Sequence, residues 1–267
     1  MKKNAIYDSF NHTFVVCAYG QSRYLERCVR SVLNQTVKSN VVMCTSTPSD
    51  YIETIAKKYN LKLKVREGKS DIRDDWNYAI SCADTELVTI AHQDDIYNRM
   101  YTEYMLRAIN RRPDANIFFS GYRPVKNGKI TFDINSILRS VLRLPMKVDF
   151  MSRSKIIKRS IFAFGNSVCC PTVTYSKRRL GDNIFTTEFK YNIDWDTFLK
   201  ISNMSGSFAY DSRALVGYRI HDGATSKAFI DNSKRYIEDT KMFEKIWGER
   251  IARFIMKFYT KAYDTYN

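Results

Sequence analysis

Residues 86–97 read ELVTIAHQDDIY, and Asp94 and Asp95 stand side by side where the apolar run ends. Two carboxylates that close repel, so the pair calls for a cation, a ribose hydroxyl or water. A second acidic couple, Asp194 and Asp196, opens DWDTFLKISNM at 194–204. Acids at the head of such a stretch have a plain role as helix caps, and so does the first pair after its strand.

The segments around these residues alternate. TFVVC (13–17), NVVMC (40–44), LKLKV (61–65) and ELVTIA (86–91) read as strands. Between them, Leu25, Cys28, Val29, Val32 and Leu33 fall at helical spacing, Pro48 sits in the first turn of a second helix, and DWNYAISCA (75–83) reads as a third. A helix from about 98 to 110 follows. This βα alternation predicts an α/β domain with a mostly parallel central sheet and helices on both faces. Ligands of such sheets bind beyond the carboxyl ends of the strands. Three ends converge there: Ala18-Tyr19, Thr45-Ser46-Thr47 and Gln93-Asp94-Asp95.

The second half is less regular. NIFFSG (116–121) and TVTY (172–175) read as strands, 134–162 as basic helix interrupted by Pro145, 194–204 as helix, and 207–211 and 214–220 as two short strands. From about Asn232 one long amphipathic helix is predicted. Its stripe runs through Phe243, Ile246, Trp247, Ile251, Phe254, Ile255, Phe258, Tyr259 and Ala262, flanked by Lys245, Arg253, Lys257 and Lys261. It suits core packing, a homodimer contact or an anionic membrane surface.

At 267 residues with 44% hydrophobic and 27% charged residues, the chain is of ordinary globular composition. No apolar run reaches the roughly 20 residues that span a bilayer, and MKKNAIYDSFNHTF lacks the apolar core of a signal peptide. The six cysteines lack zinc spacing and read as buried free thiols, which suit a reducing cytoplasm. Net charge is +15, and residues 139–180 hold ten Lys and Arg against one acid, Asp149. Such a segment suits phosphate on a nucleotide, a lipid headgroup or a nucleic acid, or simply a solvated surface.

FVVCAYGQSRYLERCVRSVLNQ (14–35) resembles the opening of family 2 glycosyltransferases with the GT-A fold: a strand, a short turn, and a helix ending in S(I/L)xxQ, filled here by Ser31, Val32 and Gln35. The resemblance continues through DWNYAI, HQDDIY, DWDTFLK and YRIH and covers roughly residues 12–226. It implies a GT-A domain at 1–230, with a nucleotide-binding half at about 1–110 and an acceptor half at about 111–230, and a C-terminal helix at 231–267. Gln93-Asp94-Asp95 matches the family's DxD-type motif, which implies Asp94 at the ribose and Asp95 on a Mn2+ or Mg2+ ion. Ile193-Asp194 stands at the family's ED motif, which implies Asp194 as the base of an inverting displacement, with Asp196 in reserve because Ile193 replaces the usual Glu. YRIHDGATS (218–226) resembles the segment where Arg219 meets phosphate and His221 meets the cation or the phosphates. The acid that commonly reads uracil is replaced by Thr45-Ser46-Thr47. In DWNYAI, Asn77 holds the family's Asn position while Trp76 replaces its Arg, leaving Arg73 or Asp75 to share that role. Residues 165–175, GNSVCCPTVTY, resemble the lining of the acceptor entrance.

The implied activity is sugar transfer from a nucleotide sugar, a UDP-sugar first, to a glycan or lipid-linked acceptor in bacterial surface-polysaccharide assembly. The implied setting is the cytoplasm or the inner face of the cell membrane. Two rivals differ in class. One is a catalytically degenerate nucleotide-sugar binder. The other is a basic nucleic-acid-binding protein, which the acidic crevice mouth opposes.

Overall fold

A computed structural model of the chain describes residues 6–131, 134–221 and 234–260. Nine strands form one sheet: β1 (His12–Ala18), β2 (Asn40–Thr45), β3 (Lys62–Val65), β4 (Leu87–His92), β5 (Ile96–Tyr97), β6 (Ala115–Lys126), β7 (Lys129–Ile130), β8 (Val173–Ser176) and β9 (Ser207–Ile220). Their order is β3-β2-β1-β4-β8-β6-β9-β5, with β7 paired to β6. The first four strands are mutually parallel. Strand β8 runs antiparallel to both β4 and β6, so the parallel half is joined to the rest through a reversed strand.

Helices α1 (Leu25–Leu33), α2 (Asp50–Lys58), α3 (Ile72–Ser81) and α4 (Tyr101–Arg111) connect the early strands. The pleat of β1 alternates between two cores. Phe14 and Val16 pack with residues of α1, α2 and α4, while Val15 packs with residues of α3 and of the chain's second half. Helix α2 starts at Asp50 and is capped by Ser49, so Pro48 lies before the helix and not in its first turn. Asp71 caps α3, which therefore begins three residues earlier than its apolar pattern indicates.

Beyond β7 come α5 (Ile134–Leu142), a 3-10 turn at Leu144–Lys147, α6 (Asp149–Arg153), α7 (Lys155–Ser160), α8 (Lys177–Leu180) and α9 (Ile193–Ser202). The two strands read at 207–220 are one strand, bent against β6 by register shifts around Gly121. A Cβ on Gly121 would lie 2.7 Å from the Ser212 carbonyl oxygen, so only glycine lets the bent strands close.

The C-terminal segment also differs from its reading. Gly248 at φ 76° splits it into α10 (Lys234–Trp247) and α11 (Glu249–Tyr259). Met242, Phe243, Ala252 and Met256 join the main core, so the pair packs on the domain itself.

Candidate active site

A cleft of about 550 Å3 opens beyond the carboxyl ends of β1, β2 and β4. Ala18, Tyr19, Thr45, Ser46, Asp94 and Asp95 line it, as the strand ends require. The acidic turn is held from behind. Ser31 accepts the Tyr97 N–H (3.0 Å), Gln35 donates to the Asn98 carbonyl (3.0 Å) and accepts the Thr102 N–H (3.0 Å). These contacts explain why a Ser and a Gln stand four residues apart at the end of α1 and just beyond it: they tie that helix to the chain leaving Asp95.

Asp94 accepts the Ser22 hydroxyl (2.7 Å) and lies 3.2 Å from His221 Nε2. Arg219 donates its Nε–H to the Asp94 carbonyl (2.8 Å) and lies 4.2 Å from the centre of the Tyr24 ring. Asp95 is buried and accepts the Arg219 backbone N–H (2.8 Å). Burial pushes its carboxyl up to about 8, against the lowering effect of that N–H. β9 thus brings Arg219 and His221 to the acidic pair from more than a hundred residues away. Asp94, read at the ribose, is the carboxylate facing His221, while Gln93 is clamped across Tyr19, accepting its N–H (2.9 Å) and donating to its carbonyl (3.0 Å).

Among the described residues no cluster of three or more His, Cys, Asp and Glu is set to hold a metal by itself. The donors at the acidic turn nevertheless fit a hard divalent cation, which takes one or two carboxylates and completes its shell with phosphate and water. A carboxylate as buried as Asp95 is costly to ionise without a positive neighbour, and the Arg219 Nη2 is buried with no hydrogen-bond partner.

Across the cleft stands Asp194, in the first turn of α9. Its carboxylate accepts the Asn166 amide (2.8 Å) and its neighbour's Trp195 N–H (2.8 Å). Burial raises its pKa to about 6, with those hydrogen bonds and the Arg139 charge acting against the rise. Asp196 is two residues on, about 200° around the helix, and does not line the cleft. Lys200 (2.8 Å) and Lys245 bind its carboxylate. Burial works to raise its pKa, but Lys200, Lys245 and Thr187 outweigh it and hold the carboxyl below its usual range. Ile193, where the resemblance expects Glu, is buried in the core.

Helix α3 divides its residues by face. Asp75 and Trp76 line the cleft. Asp75 accepts Ser46 (2.9 Å), Ser70 (2.8 Å) and Arg66 Nε (2.7 Å), and Trp76 stacks on half-buried His92 with ring centres 5.2 Å apart. Arg73 and Asn77, read as nucleotide contacts, share another face and do not line the cleft. Asn77 makes two hydrogen bonds of 2.9 Å to the Phe185 backbone, and Arg73 pairs with Asp74 (2.9 Å) and donates to the Thr187 carbonyl (3.3 Å). Both fasten 185–187 to α3.

The basic segment at 139–180 is partly spent internally. Lys158 is fully buried and donates to the Met204 (2.8 Å) and Gly206 (2.7 Å) carbonyls. Arg143 donates to Ser167 O, Lys177 to Ala83 O (2.6 Å), and Arg179 to Asn116 (2.6 Å) and Ser205 O (3.0 Å). These are four of the ten cations, while Lys147, Arg153, Lys155 and Arg178 are exposed, so the run of charge in sequence is only in part a charged surface in space. Besides Asp194, Asn166 carried a sequence signal, through GNSVCCPTVTY. Arg235, Asp239 and Tyr259 of the C-terminal helices also line the cleft and had none.

Residues 13–180 match the model of the family described as Glycosyl transferase family 2. The chain belongs to that family. This glycosyltransferase is also 21% identical over 252 residues, 91% of its length and 74% of the relative's, to a protein of Haemophilus influenzae named "Uncharacterized glycosyltransferase". Its fold is similar to that of S. aureus TarS 1–349 in complex with UDP-GlcNAc (TM-score 0.64, 18% identity, 97% of this chain and 74% of that one). It is similar as well to the mannosyltransferase PcManGT of Pyrobaculum calidifontis in complex with GDP-Man and Mn2+ (0.62, 15%, 98% and 77%). At these identities the likeness establishes the GT-A fold. Helix α9 with Asp194, β9 and the C-terminal helices of this glycosyltransferase lie beyond the matched residues.

Proposed function

We propose that the chain transfers a sugar from a nucleotide sugar to a glycan or lipid-linked acceptor with inversion at the anomeric carbon, in the building of a bacterial surface polysaccharide. The observation that carries the reading is one cleft with two unlike ends: Asp94, Asp95, Arg219 and His221 at the strand ends, and a half-buried Asp194 with its pKa raised to about 6 on the opposite wall. The solved structures similar in fold include complexes with UDP-GlcNAc and with GDP-Man and Mn2+, which supports a nucleotide-sugar donor.

In this reading Tyr19, Ser46 and Asp75 border the nucleoside, and Arg219 faces the diphosphate as a charge-assisted donor. Asp95, with Asp94 and His221, would hold a Mn2+ or Mg2+ ion, which supplies charge neutralisation to the leaving nucleoside diphosphate. Asp194 takes the proton of the acceptor hydroxyl. The freed oxygen pair forms the new bond to the anomeric carbon as the old carbon–oxygen bond breaks, and its electrons leave on the diphosphate. Asn166 and the Trp195 N–H orient the Asp194 carboxylate for that transfer. Thr45-Ser46-Thr47 bears no carboxylate at the end of β2, so Asp75, which Ser46 contacts, is the nearest acid for a pyrimidine N–H.

Thermal-shift measurements with UDP, GDP, CDP and TDP, with and without Mn2+, on wild type and Asp95→Ala test the donor end. Ligand occupancy stabilises the fold by mass action. A UDP shift that requires Mn2+ and vanishes in the variant is the expected result. A shift with a different nucleotide would change the donor, and no shift with any of the four would sink the reading.

A further inference from the structure

Two exposed apolar bands border the far wall of the cleft. The first lies on α5, where Ile134, Ile137, Leu138 and Val141 are all exposed and fall within about 100° of the helix circumference. Arg139, on the other side of that helix, lines the cleft. Beyond α5, exposed Val148, Phe150 and Ile156 continue the apolar surface beside exposed Lys147 and Lys155. The second band lies on α11, whose Ala252 and Met256 face the core while Ile251, Phe254 and Phe258 face out. Those three cluster within about 60°, and exposed Arg250, Arg253 and Lys257 fill the adjoining sector of about 60°.

Residues flanking the two bands are tied to one short segment, residues 163–167. The Trp247 indole, just before α11, donates to the Ala163 carbonyl (2.7 Å), and its ring lies 5.7 Å from that of exposed Phe164. Arg143, just after α5, donates to the Ser167 carbonyl. Asn166, in the middle of the segment, holds Asp194.

We propose that α5 and α11 seat the protein on an anionic bilayer surface, with the lipid against the segment that holds Asp194. The arrangement on α11 decides the occupant. An apolar sector set between a core-facing side and a band of three cations is the pattern of a helix lying in a lipid interface, with apolar groups in the acyl boundary and cations at acidic headgroups. Glu249 is the only acid on that helix. Trp247 and Phe164 supply the ring pair favoured at headgroup depth. No helix among the described residues is long and apolar enough to cross the membrane, so the contact is one of lying on the surface. Binding of this kind does not depend on sugar transfer, and it would bring a lipid-anchored hydroxyl to the Asp194 side of the cleft.

The test is co-sedimentation of the full-length protein with vesicles of phosphatidylcholine alone or mixed with phosphatidylglycerol. Wild type is compared with Phe254→Ser/Phe258→Ser and Ile137→Ser/Leu138→Ser. These side chains are exposed, so the variants should keep the wild-type melting temperature and the nucleotide-induced thermal shift. Wild type should bind the anionic vesicles, with affinity at least about tenfold lower for neutral vesicles and for either variant, since each loses two buried apolar groups. Equal binding by wild type and both variants, or no binding by wild type, overturns the proposal. So does a wild-type dimer in sedimentation velocity that both variants dissociate without any vesicle binding, which would make these faces a contact between two copies.

Discussion

Asp194 and Asp196 are the same residue type two positions apart, and their surroundings give them opposite properties. Asp194 has amide donors and, among the described residues, no cation in hydrogen-bond contact, so burial dominates and its pKa stands at about 6. Asp194→Asn should lower kcat by about 10^2 to 10^4 while leaving the donor-induced thermal shift intact, and steady-state kinetics with thermal shift reads both. In the wild type, kcat/KM should rise with pH through about 6 as Asp194 ionises, a limb that Asp194→Asn removes. The groups facing Asp194 from packed elements are Asn166, the Trp195 N–H and the Arg139 guanidinium. Stability should move the other way. A carboxyl whose folded pKa is raised contributes stability below its unfolded value near 4, and this is lost as pH climbs through about 6. Asp196 sits between Lys200 and Lys245, both half exposed. Removing it should cost about 1–2 kcal/mol in urea unfolding, less than a fully buried pair would.

The element that aims Asp194, the proposed base, is α9, and a different helix holds its entrance. Glu238 of α10 accepts three backbone N–H groups, from Lys190, Tyr191 and Asn192, at 2.8–2.9 Å, and Asp239 accepts the Asn192 amide at 2.8 Å. One carboxylate thus satisfies the donors of the chain entering α9. Glu238→Ala should lower stability by about 1.5–3 kcal/mol, the range for hydrogen bonds to a charged group. It should also lower kcat more than it changes the donor KM, because only the base side of the cleft moves. Glu238→Gln, which keeps an acceptor, should recover part of both. An unchanged kcat in Glu238→Ala would show that α9 is positioned without this contact. Gly165 stands at a similar junction, at φ 124° with the Tyr259 ring 3.0 Å from where a Cβ would be, so a side chain there would push on the segment bearing Asn166.

Over the whole molecule, the sheet sets the donor end and the C-terminal helices close the far wall. Phe243, fully buried between the Trp195 and Tyr259 rings, is where α10 joins the core. Phe243→Ala should cost about 3–5 kcal/mol, seen as a lower urea midpoint with an unchanged slope. If instead the slope falls, the helices detach as a unit of their own. This packing answers the sequence pattern of the C-terminal segment in part. One stripe was legible in the spacing, but Gly248 turns it, so Phe243 faces the core while Phe254 and Phe258 face out.

Periodicity and turn chemistry determined the parallel half of the fold, since each strand and helix there buries its own apolar face and its pattern is local. The same locality made Asp94 and Asp95 readable, because a strand end in a parallel sheet is where a ligand must sit. Only the tertiary structure decided which polar residues share the cleft. β9 carries His221 and Arg219 to the acidic turn across more than a hundred residues, and a 200° rotation separates Asp194 from Asp196. The basic run at 139–180 makes the point most plainly. Lys158, Lys177 and Arg179 find carbonyl or amide oxygens distant in the chain, and spacing along one segment holds no record of the chain folded against it.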